Sequence, residues 1–538
     1  MLIERLRMEG FRTFQNAEIE LGPGITVLVG ENNVGKSTVG LAIQKLFGGG
    51  LGLEDARDRV PSPILLEAEL GPREEVIALL QQYLSLDKGA SRNKDILDKW
   101  LLDEGAKAVL SLKCDSSLRS SLSFRFGDLG FESNLFFLQK RVGQKRGGAP
   151  VQQWSSFISV GDLPTGHALE NLLGQRAWQL EANVPEQIAA AVQYRFKRFE
   201  EFRLKAAPAQ GAANVESLSG LESANVLFNL RNHANPEESV RYDMVIQAFE
   251  ALFPHYKIVV VETSPGSGVP DIQFRREGRP PQTLSQVSSG TNQMLTLLTN
   301  LLGRRGLILF IEHPEALLHP QSMRFLQRLL IEASEPNQII ITTHDPHFVS
   351  AGNALGLRRI WTLRDDTKVS GLSNELSVKE LGQIETALRN PGAKEVVFAR
   401  AVILVEDESQ CEFLLQIAPT LGRDIDAHGI SVIPVGGEHG YKPYRTLLDA
   451  LNIPYVCLRD KRWGQDIDFP PARFFALGAE IEEYLDSQGL AELRLTTKQD
   501  VGQGKPRVMA ALGAQLKKED VPKLFDDLLQ AAIAASQP

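Results

Sequence analysis

Two groups of residues in this chain have the types and spacing to do chemistry. The first is GENNVGKS at 30–37, which fits G-x-x-x-x-G-K-S with Gly30, Gly35, Lys36 and Ser37 in register. It follows an apolar strand pattern, ITVLVG, and opens a helical one, KSTVGLAIQKLF. Glycines let backbone N–H groups wrap phosphates, and a helix N-terminus adds a favourable field. Lys36 would supply charge to β and γ phosphates, the Ser37 hydroxyl would ligate Mg2+, and Asn33 and Thr38 belong to the same cradle. The second group lies in AVILVEDESQCEFLL (401–415), where an apolar strand ends in Glu406, Asp407 and Glu408. Further on, IPYVCLRDKRW (453–463) ends in acid at Asp460. Ligands at the C-terminal ends of adjacent parallel strands converge on one crevice. Carboxylates there suit hard cations such as Mg2+ or Mn2+, which activate water for phosphodiester chemistry. The plainer reading is that these acids begin surface loops.

Three stretches between the groups extend the first. QVSSGTNQ (286–293) precedes a helical run and contains Ser288, Ser289 and Gly290. GLILFIEHPEALLHP (306–320) is a buried strand ending in Glu312, His313 and Glu315, and NQIIITTHDPHF (337–348) is another, ending in His344. Singly, each is a helix cap or a strand end; in this order behind a phosphate loop they form a nucleotide site.

The positioning elements follow from periodicity. Residues 1–71 alternate as strands and then switch to a helix. The stretch 72–250 reads as mostly helical, including PREEVIALLQQYLSL and VPEQIAAAVQYRFKRFEEF, with a flexible connection at KAAPAQGAANVESLSG (205–220). Strand and helix alternate over 251–370 and again over 395–515, and 516–538 is a terminal helix. The expected fold class is therefore α/β, with parallel sheets in both halves. The 538 residues exceed one core. A net charge of −9 argues against a general nucleic-acid coat, although a local basic groove suffices for DNA. Short basic runs occur at QKRVGQKRGG (139–148) and RFKRFEEFRLK (195–205). No apolar run reaches the roughly 20 residues of a membrane span, and the N-terminus lacks a signal-peptide core. Three scattered cysteines, Cys114, Cys411 and Cys457, point to a reducing cytoplasm.

The first group, read with its later stretches and with the opening IERLRMEGFRTFQNAEIEL, resembles an ABC-type ATPase head of the RecF/SMC kind. That resemblance implies that Ser288, Ser289 and Gly290 form a signature loop reaching a partner subunit's ATP. It makes Glu312 the acid that holds Mg2+ through water and His344 the γ-phosphate switch, and it implies a homodimer. Relatives commonly read E-E-P-E where this chain reads Glu312-His313-Pro314-Glu315. Either His313 or Glu315 would then replace the usual base, and weak ATP hydrolysis is expected.

The block from 395 resembles a Toprim domain through VEDESQ, IPVGGEHG (433–440) and LRDKRW. With the head, it resembles the overcoming-lysogenization-defect (OLD) nucleases over nearly the whole chain. The resemblance implies metal ligation by Glu406, Asp460 and Glu482, with Glu480 or Glu483 as alternatives to the last. Glu408 is a replacement ligand, and Lys505 in GKPRVMAAL is the cation that stabilises charge on a phosphate oxygen. The chain departs from the pattern at three places. Gln410 stands where a second Glu is usual, Arg462 where the second Asp of Asp-x-Asp is usual, and Asp407 where Gly is usual. The implied function is an ATP-regulated, Mg2+- or Mn2+-dependent DNA endonuclease in phage defence or DNA repair, with a helicase or effector as a further partner. The rival reading is an ATP-switched DNA- or partner-binding protein with an inactive Toprim domain. The segment 72–250 is expected to hold the dimerisation element.

Overall fold

The opening alternation behaves as half-buried strands should. Leu2–Phe11 and Phe14–Glu20 pair antiparallel through a turn in which Arg12 is left-handed (φ 50°), burying Ile3, Leu6, Met8, Phe11, Phe14 and Ile19. The computed structural model describes the chain except residues 49, 61, 86–105, 128, 133–134, 139–176, 180–182, 201–219, 265, 267, 285, 373–375, 461–472 and 538. The chain divides into two units, Met1–Ile25 with Gly35–Thr342, and Thr26–Val34 with Thr343–Pro538.

In the first unit the opening hairpin joins an eight-stranded antiparallel sheet. Its order is Phe14–Glu20, Leu2–Phe11, Ile64–Gly71, Ala108–Cys114, Ser120–Phe126, Leu129–Glu132, Leu135–Leu138, Ala177–Gln179. This corrects the expectation of parallel sheets in both halves, and it adds strands to a stretch, 72–250, read as mostly helical. The physical reason is visible in AVLSLKC, where Ala108, Leu110, Leu112 and Cys114 are buried in alternation. Asp115 then closes a tight turn by accepting from the N–H groups of Ser117 (2.8 Å) and Arg119 (3.0 Å). Short turns force antiparallel pairing.

A second correction falls at VPEQIAAAVQYRFKRFEEF. The helix Val184–Arg195 stops, and Phe196–Phe199 becomes a strand parallel to Ile308–Glu312. Phe196 and Phe199 are buried, and the pairing satisfies their backbone groups. Gln338–Thr342 lies parallel on the other side of Ile308–Glu312. Helices Gly220–Arg231, Pro236–Leu252 and Ser289–Gly303, with a small antiparallel sheet at Lys257–Glu262, Pro270–Arg275 and Gln282–Thr283, complete this unit.

In the second unit Ile25–Val29 pairs parallel with Leu357–Leu363, which pairs antiparallel with Asp366–Gly371. A separate four-stranded sheet, parallel as expected, has the order Ile430–Pro434, Ala401–Val405, Tyr455–Arg459, Phe474–Ala476. Ala401–Val405 and Tyr455–Arg459 are buried along their whole length, as central parallel strands must be. Helices Glu408–Thr420, Lys505–Gln515 and Lys523–Ser536 share a core of Ile403, Val405, Phe413, Leu458, Met509 and Phe525. The basic run at 139–148, most of the connection at 205–220, residues 201–205 and Arg462 lie outside the described residues.

Candidate functional site

The nucleotide loop is built as its sequence requires. Ile25–Val29 runs into Gly30 (φ 143°), where a Cβ would lie 2.0 Å from the Ile360 carbonyl oxygen. Asn33 (φ 64°) and Gly35 (φ 109°) turn the backbone, and the helix Lys36–Gly48 begins. Lys36 is buried, Ser37 is exposed, and the Thr38 N–H donates to the Gly35 carbonyl at 3.1 Å. Gly40 lets this helix approach Ile308–Glu312, because a Cβ there would meet the Phe310 ring at 2.5 Å.

Glu312 ends that strand and is buried. Arg198, on the neighbouring strand Phe196–Phe199, donates to Glu312 Oε1 through Nε at 2.9 Å and approaches it through a terminal nitrogen at 2.8 Å. The same guanidinium reaches Gln44 Oε1 at 3.0 Å, on the helix that Lys36 opens. Sequence reading did not find Arg198. Its signal is a charge between two strand-forming phenylalanines, which a helical reading of RFKRF hides. His313 is left-handed (φ 48°, ψ 58°), and its Nδ1 lies 3.2 Å from Glu315 Oε1. The two alternative bases are therefore one pair.

Ser288 caps the helix Ser289–Gly303, its hydroxyl accepting from the Thr291 N–H at 3.2 Å, and Gly290 lies in the first turn. His344 is exposed after Gln338–Thr342, with its ring 6.5 Å from that of Phe398. Phe398 begins a short segment that meets the phosphate loop and its strand. Arg400 grips Glu31, a loop residue, through two bonds of 2.8 and 2.6 Å. Arg359, in register with Val29, is buried and donates to the carbonyls of Ala399 (3.2 Å), Leu451 (3.5 Å) and Asn452 (2.8 Å). Burial pulls its guanidinium down to about 10. Immediately after Arg400 begins the strand Ala401–Val405, which leads to Glu406.

Register places the second site. Val402 pairs with Tyr455 and Leu404 with Cys457, so Glu406 and Asp460 emerge at one edge of the sheet. The Asp460 N–H donates to Glu406 Oε2 at 3.2 Å. Gln410 is fully buried one helical turn beyond. It accepts from the Glu406 N–H at 2.9 Å and donates to Asp460 Oδ1 at 2.5 Å. Burial, then the charge of Glu406, push the Asp460 carboxyl up to about 6, against the opposing hydrogen bond from Gln410. Asp407 caps the helix Glu408–Thr420, and its side chain accepts from the Gln410 N–H. The glycine turn closes the floor, with the Gly437 N–H donating to the Glu406 carbonyl at 2.9 Å.

The remaining acids sit elsewhere. Glu408 is exposed on the first helical turn, and Glu483 is exposed also. Lys505 begins the helix Lys505–Gln515, whose Gly513 packs against Glu408–Thr420. Its ammonium lies 3.0 Å from Glu482, 3.3 Å from Glu480 and 3.7 Å from Asp407. Burial alone would lower the Lys505 ammonium, but the bond to Glu482 and the charges of Glu482 and Asp407 outweigh it and hold the pKa above its usual value. The structure thus unites Glu406 with Asp460 and places Glu482 on Lys505. Among the described residues, no three His, Cys, Asp or Glu side chains gather as a metal-ligand group. The pair itself suits one hard cation, because two carboxylates of like charge meet where burial first, and then the charge of Glu406, raise the Asp460 pKa.

Comparison with known proteins agrees with this layout. An AAA ATPase domain family matches residues 1–96. A second AAA family, described under the AbiEii toxin of type IV TA systems, matches 113–350. The TOPRIM domain of overcoming-lysogenization-defect-like proteins matches 397–461. The OLD nuclease of Thermus scotoductus is 22% identical over 493 residues, covering 86% of this chain and 82% of its own. Endonuclease GajA of Bacillus cereus is 26% identical over 30% of this chain and 27% of its own. The C-terminal region of the Burkholderia pseudomallei OLD protein is 20% identical with a TM-score of 0.24, over 26% of this chain and 100% of that one. The matched families define a class, an AAA-type ATPase joined to a Toprim domain, a combination that implies nucleotide and divalent-metal use. Over most of its length the chain is similar to OLD nucleases. No helix among the described residues is long and apolar enough to cross a membrane.

Proposed function

We propose that this chain is an ATP-controlled, metal-dependent DNA endonuclease that acts as a homodimer in defence against phage DNA or in DNA repair. The observation that carries the reading is the Glu406–Asp460 carboxylate pair at the ends of adjacent buried parallel strands, 3.2 Å from backbone N–H to carboxylate. When bound at that pair, Mg2+ or Mn2+ supplies the positive charge that lowers the pKa of water and steadies a leaving oxygen. Glu406 and Asp460 would hold it, Gln410 orients both, and Lys505 presents a positive charge to a phosphate oxygen. In the head, Lys36 would bind the β and γ phosphates, Ser37 and, through water, Glu312 would hold Mg2+, and His313, oriented by Glu315, would accept a proton from water. Ser288, Ser289 and Gly290 would engage the ATP of the partner subunit. Control by ATP is supported by Glu31 and His344, which both reach the 398–400 segment that feeds Glu406.

The test is nicking of supercoiled plasmid in Mg2+ and in Mn2+, with and without ATP, beside Glu406→Ala. Nicking that Glu406→Ala abolishes is the expected result. A second reading, an ATP-switched binding protein, is favoured by one fact: Gln410 and Lys505 already partner the acids. It expects no nicking in either metal, loss of function in Lys36→Ala, and full function in Glu406→Ala.

A further inference from the structure

Gln410 is the most constrained polar side chain of the second site. It is fully buried, and both ends of its amide are used. The carbonyl oxygen takes the Glu406 N–H at 2.9 Å, and the NH2 group gives a hydrogen to Asp460 Oδ1 at 2.5 Å. An amide of this length can do both at once, whereas a carboxylate has no hydrogen to give. A glutamate at 410 would also place a third negative charge against Glu406 and Asp460.

The bond also decides which oxygens remain open. Asp460 Oδ1 is committed to Gln410, and Glu406 Oε2 already accepts from the Asp460 N–H. The acids that could build a second cation position, Asp407, Glu480 and Glu482, are gathered on the ammonium of Lys505 instead. A permanent cation of the protein therefore occupies that set and offsets part of its charge.

We propose that Gln410 makes this a single-metal centre. It acts as a positioning residue that fixes Asp460 beside Glu406 for one divalent cation and withholds the carboxylate a second would need. The inference rests on the nuclease reading above and deepens it. It gives a chemical consequence to the departure at 410, where a second Glu is usual in the Toprim pattern.

The experiment is Mn2+ binding to the full-length, nucleotide-free protein, counted by equilibrium titration and read by electron paramagnetic resonance. Wild type is expected to bind one Mn2+ per chain, magnetically isolated, and Glu406→Ala to lose it. Gln410→Glu should admit a second Mn2+ per chain and replace the isolated signal by a spin-coupled one. Gln410→Leu, which buries no charge, is measured beside it as the variant least exposed to a folding defect. Gln410→Leu should keep the count at one and weaken binding by roughly tenfold to a hundredfold, the usual effect of removing a ligand's supporting hydrogen bond. Two coupled Mn2+ ions in wild type would overturn the proposal while leaving the nuclease reading intact. So would Gln410→Leu binding Mn2+ as tightly as wild type. No Mn2+ in wild type would remove the proposal and the nuclease reading together.

Discussion

Asp460 gives the sharpest quantitative test of the second site. Its carboxyl is raised from 3.8 to about 6 by burial and by the charge of Glu406. An acid whose folded pKa lies above its unfolded value binds its proton more tightly when folded, so ionisation opposes folding. The penalty is full above pH 6 and disappears below about pH 4. A rise of about 2 pH units at roughly 1.36 kcal/mol each gives about 3 kcal/mol at pH 8, and about half of that at pH 5. Asp460→Asn removes the charge and keeps an oxygen to accept from Gln410. In EDTA at pH 8 the variant should therefore melt higher than wild type by about 6–12 °C, at about 2–4 °C per kcal/mol. Scanning calorimetry at pH 8 and pH 5 measures this, and the gap should narrow at the lower pH. Mn2+ at about a thousandfold its Kd should reverse the order, since it adds about 4.1 kcal/mol to the protein that binds it, more than the penalty. Wild type melting at or above Asp460→Asn in EDTA at pH 8 would refute the reasoning, because Asp460 would then not be held ionised against its surroundings.

Other consequences can be measured separately. Arg198→Ala leaves Glu312 buried without its cation, a change that costs roughly 3–5 kcal/mol. Thermal melting should fall accordingly, with partial recovery in Mg2+ and ATP. His313→Glu restores the carboxylate usual at that position and should raise steady-state ATP hydrolysis by roughly tenfold or more; an unchanged rate would count against His313 as the weak base. Arg400→Glu should leave ATP binding intact and abolish the ATP dependence of nicking. The double exchange Arg400→Glu with Glu31→Arg should restore that dependence, as judged by plasmid nicking with and without ATP.

What could be read from the sequence was local. The phosphate loop is a contiguous run whose strand, turn and helix sit side by side, so its conformation follows from neighbours alone. The strand-end acids were equally visible, because a buried run ending in charge marks the C-terminal edge of a parallel strand. The strands at Ala108–Cys114 and Ser120–Phe126 carried the right alternation, but long amphipathic runs on either side suggested helix. Arg198 was beyond reach for a different reason. Its role exists only through pairing with a strand more than a hundred residues away, and no local pattern encodes that partner. Gln410 departs from a pattern, and that departure is legible in sequence alone. Its two hydrogen bonds, which give the departure chemical meaning, depend on a residue 50 positions later.

The bonds of Arg359 and Arg400 bear on how such chains can be recombined. Nucleotide loops are read mainly through their backbone, which would leave the side chain at 31 free to drift. Here Glu31 is bound to Arg400, and Arg359 is bound to the carbonyl of Ala399. A graft that imports a foreign Toprim domain at a junction near 395 would carry away both attachment points while leaving Glu31 and Arg359 behind. Related sequences should therefore show positions 31 and 400 changing together, and working chimeras should join after residue 400 or transplant the pair. The two modules can be told apart by fold, yet their boundary is inherited as one piece.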